Sequence, residues 1–177
     1  MLFADVRGST SLAEKLGTVE FSQLINRFYK TASRILAESD ALIDKIVGDQ
    51  AAGIYVPGFA GAQHAQRAIQ AGRKLLAATG HGDEEAPWIP LGVGIHTGTA
   101  YVGSVGSKDG TMDITVLGDA ANTAARLASE AKIGEILISD TANRAASLDL
   151  GSLEMRQLSL KGKSQAVSVH VLAEYVS

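Results

Sequence analysis

The stretch Ala41-Leu42-Ile43-Asp44-Lys45-Ile46-Val47-Gly48-Asp49-Gln50-Ala51-Ala52-Gly53-Ile54-Tyr55-Val56 decides the class of fold. Two mainly apolar runs, Ala41 to Val47 and Ala51 to Val56, flank Gly48-Asp49-Gln50. Gly and Asp favour tight turns, so the segment reads as a β-hairpin, an antiparallel pair of strands. Just before it, residues 20–39 carry Phe21, Leu24, Ile25, Phe28, Ile35 and Leu36. Their spacing repeats near 3.6, which predicts an amphipathic helix with one buried face.

Downstream of the hairpin, Pro57-Gly58 punctuates the chain, and Ala62 to Ala78 predicts a second helix with Ala65, Ile69, Leu75 and Leu76 inward. His81 to Pro90, with its charges and two prolines, reads as a surface loop. Leu91 to His96 follows as a strand. Ala100 to Val105 and Asp113 to Leu117 form the arms of a longer hairpin around Ser107 to Thr111. Asp119 to Ala131 is an alanine-rich helix, Glu135 to Ser139 a strand and Asp140 to Ala146 a short helix. Leu153 to Leu160 and Ala166 to Ala173 make a final hairpin across Lys161-Gly162-Lys163. Helices and strands alternate while several strands are joined by hairpins. That mixture predicts an α+β fold, a sheet rich in antiparallel pairs with helices on one face.

The 177 residues fit a single domain, 1–177, large enough to bury a core without staples. A net charge of -3 gives no global electrostatic case for nucleic acid or an anionic membrane. The chain has no cysteine, which excludes disulfides, thiolate catalysis and Cys-based zinc sites and fits a reducing cytoplasm. No apolar run reaches the roughly 18 residues of a membrane span, and no signal peptide is visible. Met1-Leu2-Phe3-Ala4-Asp5 reads as the last part of a strand. The expectation is therefore a truncated first strand, with an upstream regulatory domain or anchor.

Several residues are chemically suggestive. Asp5 ends an apolar strand and is followed by Val6-Arg7-Gly8-Ser9-Thr10 and a helix. A carboxylate at a strand end suits a metal, and a helix N-terminus offers backbone N–H groups to phosphate; Ser9 or Thr10 could equally be a plain cap. Asp49 in the hairpin turn could be an ordinary turn residue, or could meet Asp5 if their strands are neighbours. Two such carboxylates repel unless a cation lies between them, and two Mg²⁺ bridged by aspartates serve displacement at phosphorus. Asn122 and Arg126 lie four apart and share one helix face. Arg126 could reach solvent or hold phosphate oxygens. Lys45 and Thr115 are strand residues, and Lys161 and Lys163 flank a turn glycine, as surface charges or as ligands. His96 reads as a satisfied core or edge histidine, and no histidine spacing suggests zinc. The glycines of Val93 to Gly98 do not form a dinucleotide-binding unit.

In order, these segments resemble the class III adenylyl and guanylyl cyclase catalytic domains. Phe3 to Thr10 resembles the first metal motif of that family, and Lys45-Ile46-Val47-Gly48-Asp49 its Lys-x-x-Gly-Asp motif. Val93 to Gly98 and Tyr101 to Gly106 look like the glycine-bearing strands before its dimerisation hairpin. Thr115 to Leu127 resembles the segment with base-reading and transition-state residues, and Leu160 to Lys163 the late lysine turn. The resemblance runs to about Val171.

The resemblance implies a ferredoxin-like, mixed and largely antiparallel sheet with helices packed on it, plus a dimerisation hairpin. It implies that Asp5 and Asp49, with the Val6 carbonyl, hold two Mg²⁺ (or Mn²⁺) ions. Gly8, Ser9 and Thr10 would bind phosphate, and so would Lys161, with Lys163 the weaker candidate. Asn122 would orient the ribose and Arg126 would stabilise charge at the α-phosphate. Lys45 and Thr115 would read the base; Lys with Thr or Asp accompanies ATP in the family, and Glu with Cys accompanies GTP. The implied reaction is cyclic AMP formation from ATP by a homodimer, with the aspartates from one subunit and Lys45, Thr115, Asn122 and Arg126 from the other. Thr at position 115 is also similar to a subgroup often responsive to bicarbonate. One departure is Gly92, where the family frequently has Arg. The alternative from another class is a catalytically silent nucleotide-binding module. A diguanylate cyclase would need a Gly-Gly-Asp/Glu-Glu-Phe turn, and none occurs.

Overall fold

The computed structural model describes residues 1–106, 112–150, 152–163 and 165–173. The hairpin tip expected around Ser107 to Thr111 lies outside the described residues. In chain order the elements are β1 (Leu2–Val6), α1 (Ser9–Leu16), α2 (Thr18–Glu38), β2 (Leu42–Val47), β3 (Gln50–Ile54), α3 (Pro57–Ala60), α4 (His64–Ala78), β4 (Leu91–Ile95), β5 (Tyr101–Gly106), β6 (Met112–Leu117), α5 (Asp119–Glu130), β7 (Glu135–Ser139), α6 (Asp140–Ala146), β8 (Glu154–Leu158) and β9 (Val167–Ala173). The expected elements are present, with boundaries moved by a residue or two; α3, opened by Pro57 at its first turn, was not anticipated.

The main sheet has the strand order β2-β3-β1-β4-β7-β9-β8, and β5 and β6 form a separate pair. Among the described residues only β4 and β7 run parallel; β1 pairs antiparallel with both β3 and β4. This is the mixed, largely antiparallel α+β sheet that the sequence predicted. β1 is paired on both sides along Leu2–Asp5, which supports Asp5 from both neighbouring strands. Among the described residues no helix is long and apolar enough to cross a membrane.

The expectation that helices cover one face is wrong. Strand side chains alternate: Leu2, Ala4 and Val6 of β1 pack with Ile25, Phe28 and Ile35 of α2 and Ile69 and Leu75 of α4. Phe3, on the opposite face, packs with Ala124 and Ala128 of α5. With both faces covered, β1, β4 and β7 are buried at every position, as continuous apolar strands require. The approach of α5 depends on glycine. A Cβ on Gly94 would stand 2.2 Å from the Ala128 nitrogen and 2.4 Å from the Ala124 carbonyl oxygen. One on Gly92 would stand 2.8 Å from the Ala131 carbonyl oxygen. A larger side chain at position 92 would therefore force α5 off the sheet. Gly94→Ala is expected to lower stability by about 3 kcal/mol, because backbone cannot yield as a side chain does. A urea midpoint unchanged from the parent would refute this account of the helix seat.

His81 to Pro90 is not wholly a surface loop. His81 is 3% exposed and Ile89 0%. His81 is held by the Thr79 hydroxyl at 2.9 Å from Nδ1 and by the Leu91 amide, which donates to Nε2 at 3.2 Å. Burial depresses its pKa, outweighing an opposing bond to the Leu76 carbonyl. It is an internal strut that fixes the start of β4.

Candidate active site

Asp5 and Asp49 meet at the end of β1. Asp5 stands opposite Gln50 in the β1–β3 ladder, and the Val6 amide donates to the Asp49 carbonyl at 2.9 Å. The hairpin turn thus folds against the last residues of β1, and Gly48 supplies the left-handed backbone it needs, with φ of 63°. Asp5 is 7% exposed. A carboxylate so removed from water requires compensation. Gln50 Nε2 donates to its Oδ2 at 2.8 Å, and Arg7 forms an ion pair with it. The Ser9 hydroxyl donates to Asp49 Oδ2 at 2.6 Å, so one residue of the Gly8-Ser9-Thr10 segment already orients a carboxylate. Gly8 itself precedes α1 at φ of 66° with no side-chain cap, leaving the amides at the start of α1 without intrahelical partners.

Arg7 braces this corner. Its Nη1 donates to the Ser129 carbonyl at 2.5 Å, and its Nε is buried without a partner. Burial lowers its pKa, while Asp49 and Glu130 act in the opposite sense. The Tyr29 hydroxyl donates to the Gly48 carbonyl at 2.7 Å, and burial followed by the charge of Asp49 raises its pKa. A cavity of ≈ 560 Å³ opens here, lined in part by Ser9, Thr10, Phe21, Tyr29, Gly48 and Asp49.

The donor set suits a hard divalent cation. Among the described residues no group of three or more histidine or acidic side chains stands placed for a metal. Two carboxylates and a nearby main-chain carbonyl are an incomplete shell, the arrangement used where substrate phosphates and water supply the rest. The charge of Asp5 is balanced by Arg7, and Gln50 adds a hydrogen bond to its second oxygen.

A second group lies around α5 and β6. Thr115 is 8% exposed, and its hydroxyl donates to Asp44 Oδ1 at 2.9 Å. Lys45 pairs with Ala52 in the β2–β3 ladder; its side chain lies outside what is described. Asn122 is exposed, and its amide donates to the Gly118 carbonyl at 3.3 Å. Arg126 lies over the turn between β8 and β9, where a Cβ on Gly162 would come within 3.3 Å of Nη2. In that turn Lys163 forms an ion pair with Asp119, whereas Lys161 is exposed. The bond from Lys163 is the main reason that the pKa of Asp119 is lowered, with Arg126 a smaller contributor. His96 is satisfied, as the sequence indicated: Nδ1 is 2.9 Å from the Ser139 hydroxyl. Burial, then the positive amino terminus and Lys163, push its pKa down to about 4.

Among the described residues no hydrogen bond or ion pair joins Asp5 or Asp49 to Thr115, Asn122 or Arg126. Arg7, which pairs with Asp5, touches α5 at Ser129, seven residues or about 10 Å of helix beyond Asn122 and three residues beyond Arg126. Sequence reasoning missed Arg7, Gln50 and Asp44. The available signals were a cation two residues after Asp5, an amide beside Asp49 and a carboxylate inside an apolar strand.

The family model for the adenylate and guanylate cyclase catalytic domain matches residues 1–174. An adenylate cyclase of Anabaena cylindrica is 31% identical over 96% of this chain, which spans 36% of that protein. A terminal-differentiation-specific adenylate cyclase of Dictyostelium discoideum is 28% identical over 96% of the chain, only 8% of its own length. The chain therefore spans about a third or less of these two relatives. The adenylyl cyclase CyaB from P. aeruginosa superimposes with a TM-score of 0.80 at 30% identity, covering 97% of this chain and 91% of that one. The guanylyl cyclase Cya2 does so with a TM-score of 0.82 at 27% identity, covering 96% and 88%. With a catalytic-domain match over nearly its whole length, this chain belongs to the class III adenylyl/guanylyl cyclase catalytic domain family.

Proposed function

We propose that this domain is an adenylate cyclase that converts ATP to 3′,5′-cyclic AMP and pyrophosphate as a homodimer. The observation that carries the reading is the approach of Asp5 and Asp49 across the β1–β3 pair, with Ser9 already hydrogen-bonded to Asp49. Asp5, Asp49 and the Val6 carbonyl would hold two Mg²⁺ or Mn²⁺ ions. Bound there, the cations would neutralise triphosphate charge and make the ribose 3′-hydroxyl easier to deprotonate. The 3′ oxygen would form a bond to the α-phosphorus, its proton would pass to water, and the bond from the α-phosphorus to the bridging oxygen would break, that oxygen leaving with pyrophosphate. The Gly8-Ser9-Thr10 segment would donate amides to the phosphates. Arg126 would stabilise charge on the α-phosphate with its planar fork of donors, Asn122 would orient the ribose, and Lys161 would add phosphate contact.

Adenine offers an acceptor at N1 and a donor at the 6-amino group. Lys45 suits the first and Thr115 the second. Guanine carries N1–H and a carbonyl, which would set Lys45 against a donor. The adenylate cyclase names of the relatives agree with this choice, although a guanylyl cyclase is among the similar structures. Among the described residues no hydrogen bond or ion pair joins the Asp5–Asp49 corner to Thr115, Asn122 or Arg126, which agrees with a site completed by a second copy; two-fold symmetry would then give two equivalent sites. Regulatory input would come from segments outside this chain, such as those that make the relatives longer.

The test is product formation from ATP and GTP, side by side, with Mn²⁺ and at several protein concentrations. Cyclic AMP with specific activity rising with concentration is expected. Cyclic GMP as the main product would overturn the reading of Lys45 and Thr115. No product from a dimer that binds ATP would make the domain a silent nucleotide-binding module.

A further inference from the structure

The β2–β3 ladder is irregular at one place. Ile43 pairs with Gly53 and Lys45 with Ala52, so Asp44 is the extra residue of a bulge. Bulges commonly re-aim a side chain. Here the carboxylate leaves its own sheet and crosses to β6, where Oδ1 accepts both the Thr115 hydroxyl at 2.9 Å and the Val116 amide at 3.1 Å. Thr115 and Val116 are 8% and 6% exposed, so neither bond is a loose surface contact. A threonine hydroxyl has one hydrogen and two lone pairs. With its hydrogen committed to Asp44, Thr115 can only accept from anything else that approaches it.

We propose that Asp44 is a positioning residue for base selection, fixing the Thr115 hydroxyl as an acceptor toward a purine 6-amino group. The proposal rests on the reading of Thr115 as a base contact. A free hydroxyl is ambivalent, able to accept from the amino group of adenine or donate to the carbonyl of guanine. Anchored by a carboxylate, which has no hydrogen to give, it satisfies adenine and faces the guanine carbonyl with a lone pair. A site that leaves a polar group unpaired rejects the wrong ligand more strongly than one that adapts.

The test compares Asp44→Ala, Asp44→Ser, Thr115→Val and the double variant Asp44→Ala/Thr115→Val in the dimeric protein. Two readouts are used: kcat/KM for ATP and for GTP, and the displacement of a fluorescent ATP analogue by each nucleotide. Asp44→Ala is expected to reduce the ATP-over-GTP preference about tenfold in both, the scale of one reoriented hydrogen bond. Asp44→Ser keeps a partner for the Val116 amide but can also donate, so it should lower the preference in the same direction. It carries the test if the alanine variant does not fold. In the Thr115→Val background, removing Asp44 should change the preference little further. A folded Asp44 variant that loses ATP and GTP equally would overturn the proposal, making Asp44 only a tie between β2 and β6. If Thr115→Val itself leaves the preference unchanged, the premise that Thr115 touches the base has failed. If it lowers the preference while both Asp44 variants keep it, the premise stands and the role of Asp44 is refuted.

Discussion

Asp49→Ala is expected to reduce cyclic nucleotide formation by about a thousandfold or more, the several kcal/mol that a metal-holding carboxylate contributes at phosphorus. The same substitution should cost only about 1 kcal/mol of stability, since among the described residues the side chain makes one hydrogen bond, from Ser9 at 2.6 Å. The structural duty of the turn is carried by main chain instead. The Asp49 carbonyl accepts the Val6 amide, and the Tyr29 hydroxyl holds the Gly48 carbonyl, and neither bond involves the Asp49 side chain. Initial rates with ATP, beside a thermal melt of the same preparation, separate the two effects. Unchanged turnover would sink the assignment of Asp49 as a metal ligand. A large loss of stability would mean that the carboxylate is chiefly structural.

Mixing two inactive proteins should restore activity. Asp5→Ala removes a carboxylate from the corner at the end of β1, and Arg126→Ala removes the guanidinium that lies over the Gly162 turn. If each site takes its carboxylates from one subunit and its arginine from the other, a mixed dimer has one intact site and one doubly damaged site. Random exchange makes half the dimers mixed, so activity should return to about a quarter of the parent value. Either variant alone should be nearly inert. Absence of recovery, with exchange demonstrated by differently tagged chains, would place all catalytic groups of a site in one subunit. Asp5→Ala carries its own folding risk, because it leaves Arg7 partly buried without its carboxylate partner. Its melting curve therefore belongs in the same experiment.

The two halves of the candidate site were not equally legible in the sequence. Asp5 and Asp49 could be paired in advance because a strand end and a hairpin turn are local features with distinctive turn chemistry. Their meeting needed only that β1 and β3 be neighbours, which the ladder provides. Arg7 and Gln50 escaped notice because a side chain beside a motif carries no local sign of where it points. Their bonds to Asp5 exist only once β1 lies beside β3. The loop from His81 to Pro90 misled in the opposite sense. Charges and prolines give it a polar composition, yet the buried residues at its two ends, His81 and Ile89, are set by the packing of the strand that follows.

The sequence by itself determined the kinds of element and their order, because helical periodicity, hairpin turns and glycine placement act over a few residues. It also determined the ordered motifs that mark the family. Which face of the sheet each helix covers was decided only by tertiary structure. The apolar strands β1 and β4 read alike from either side, and α5 could seat on the second face only where Gly92 and Gly94 leave no Cβ to collide with its backbone. Tertiary structure likewise decided that Asp44 serves Thr115, a residue 71 positions away. That contact requires a bulge, and a bulge is a property of how two strands pair and not of either strand alone.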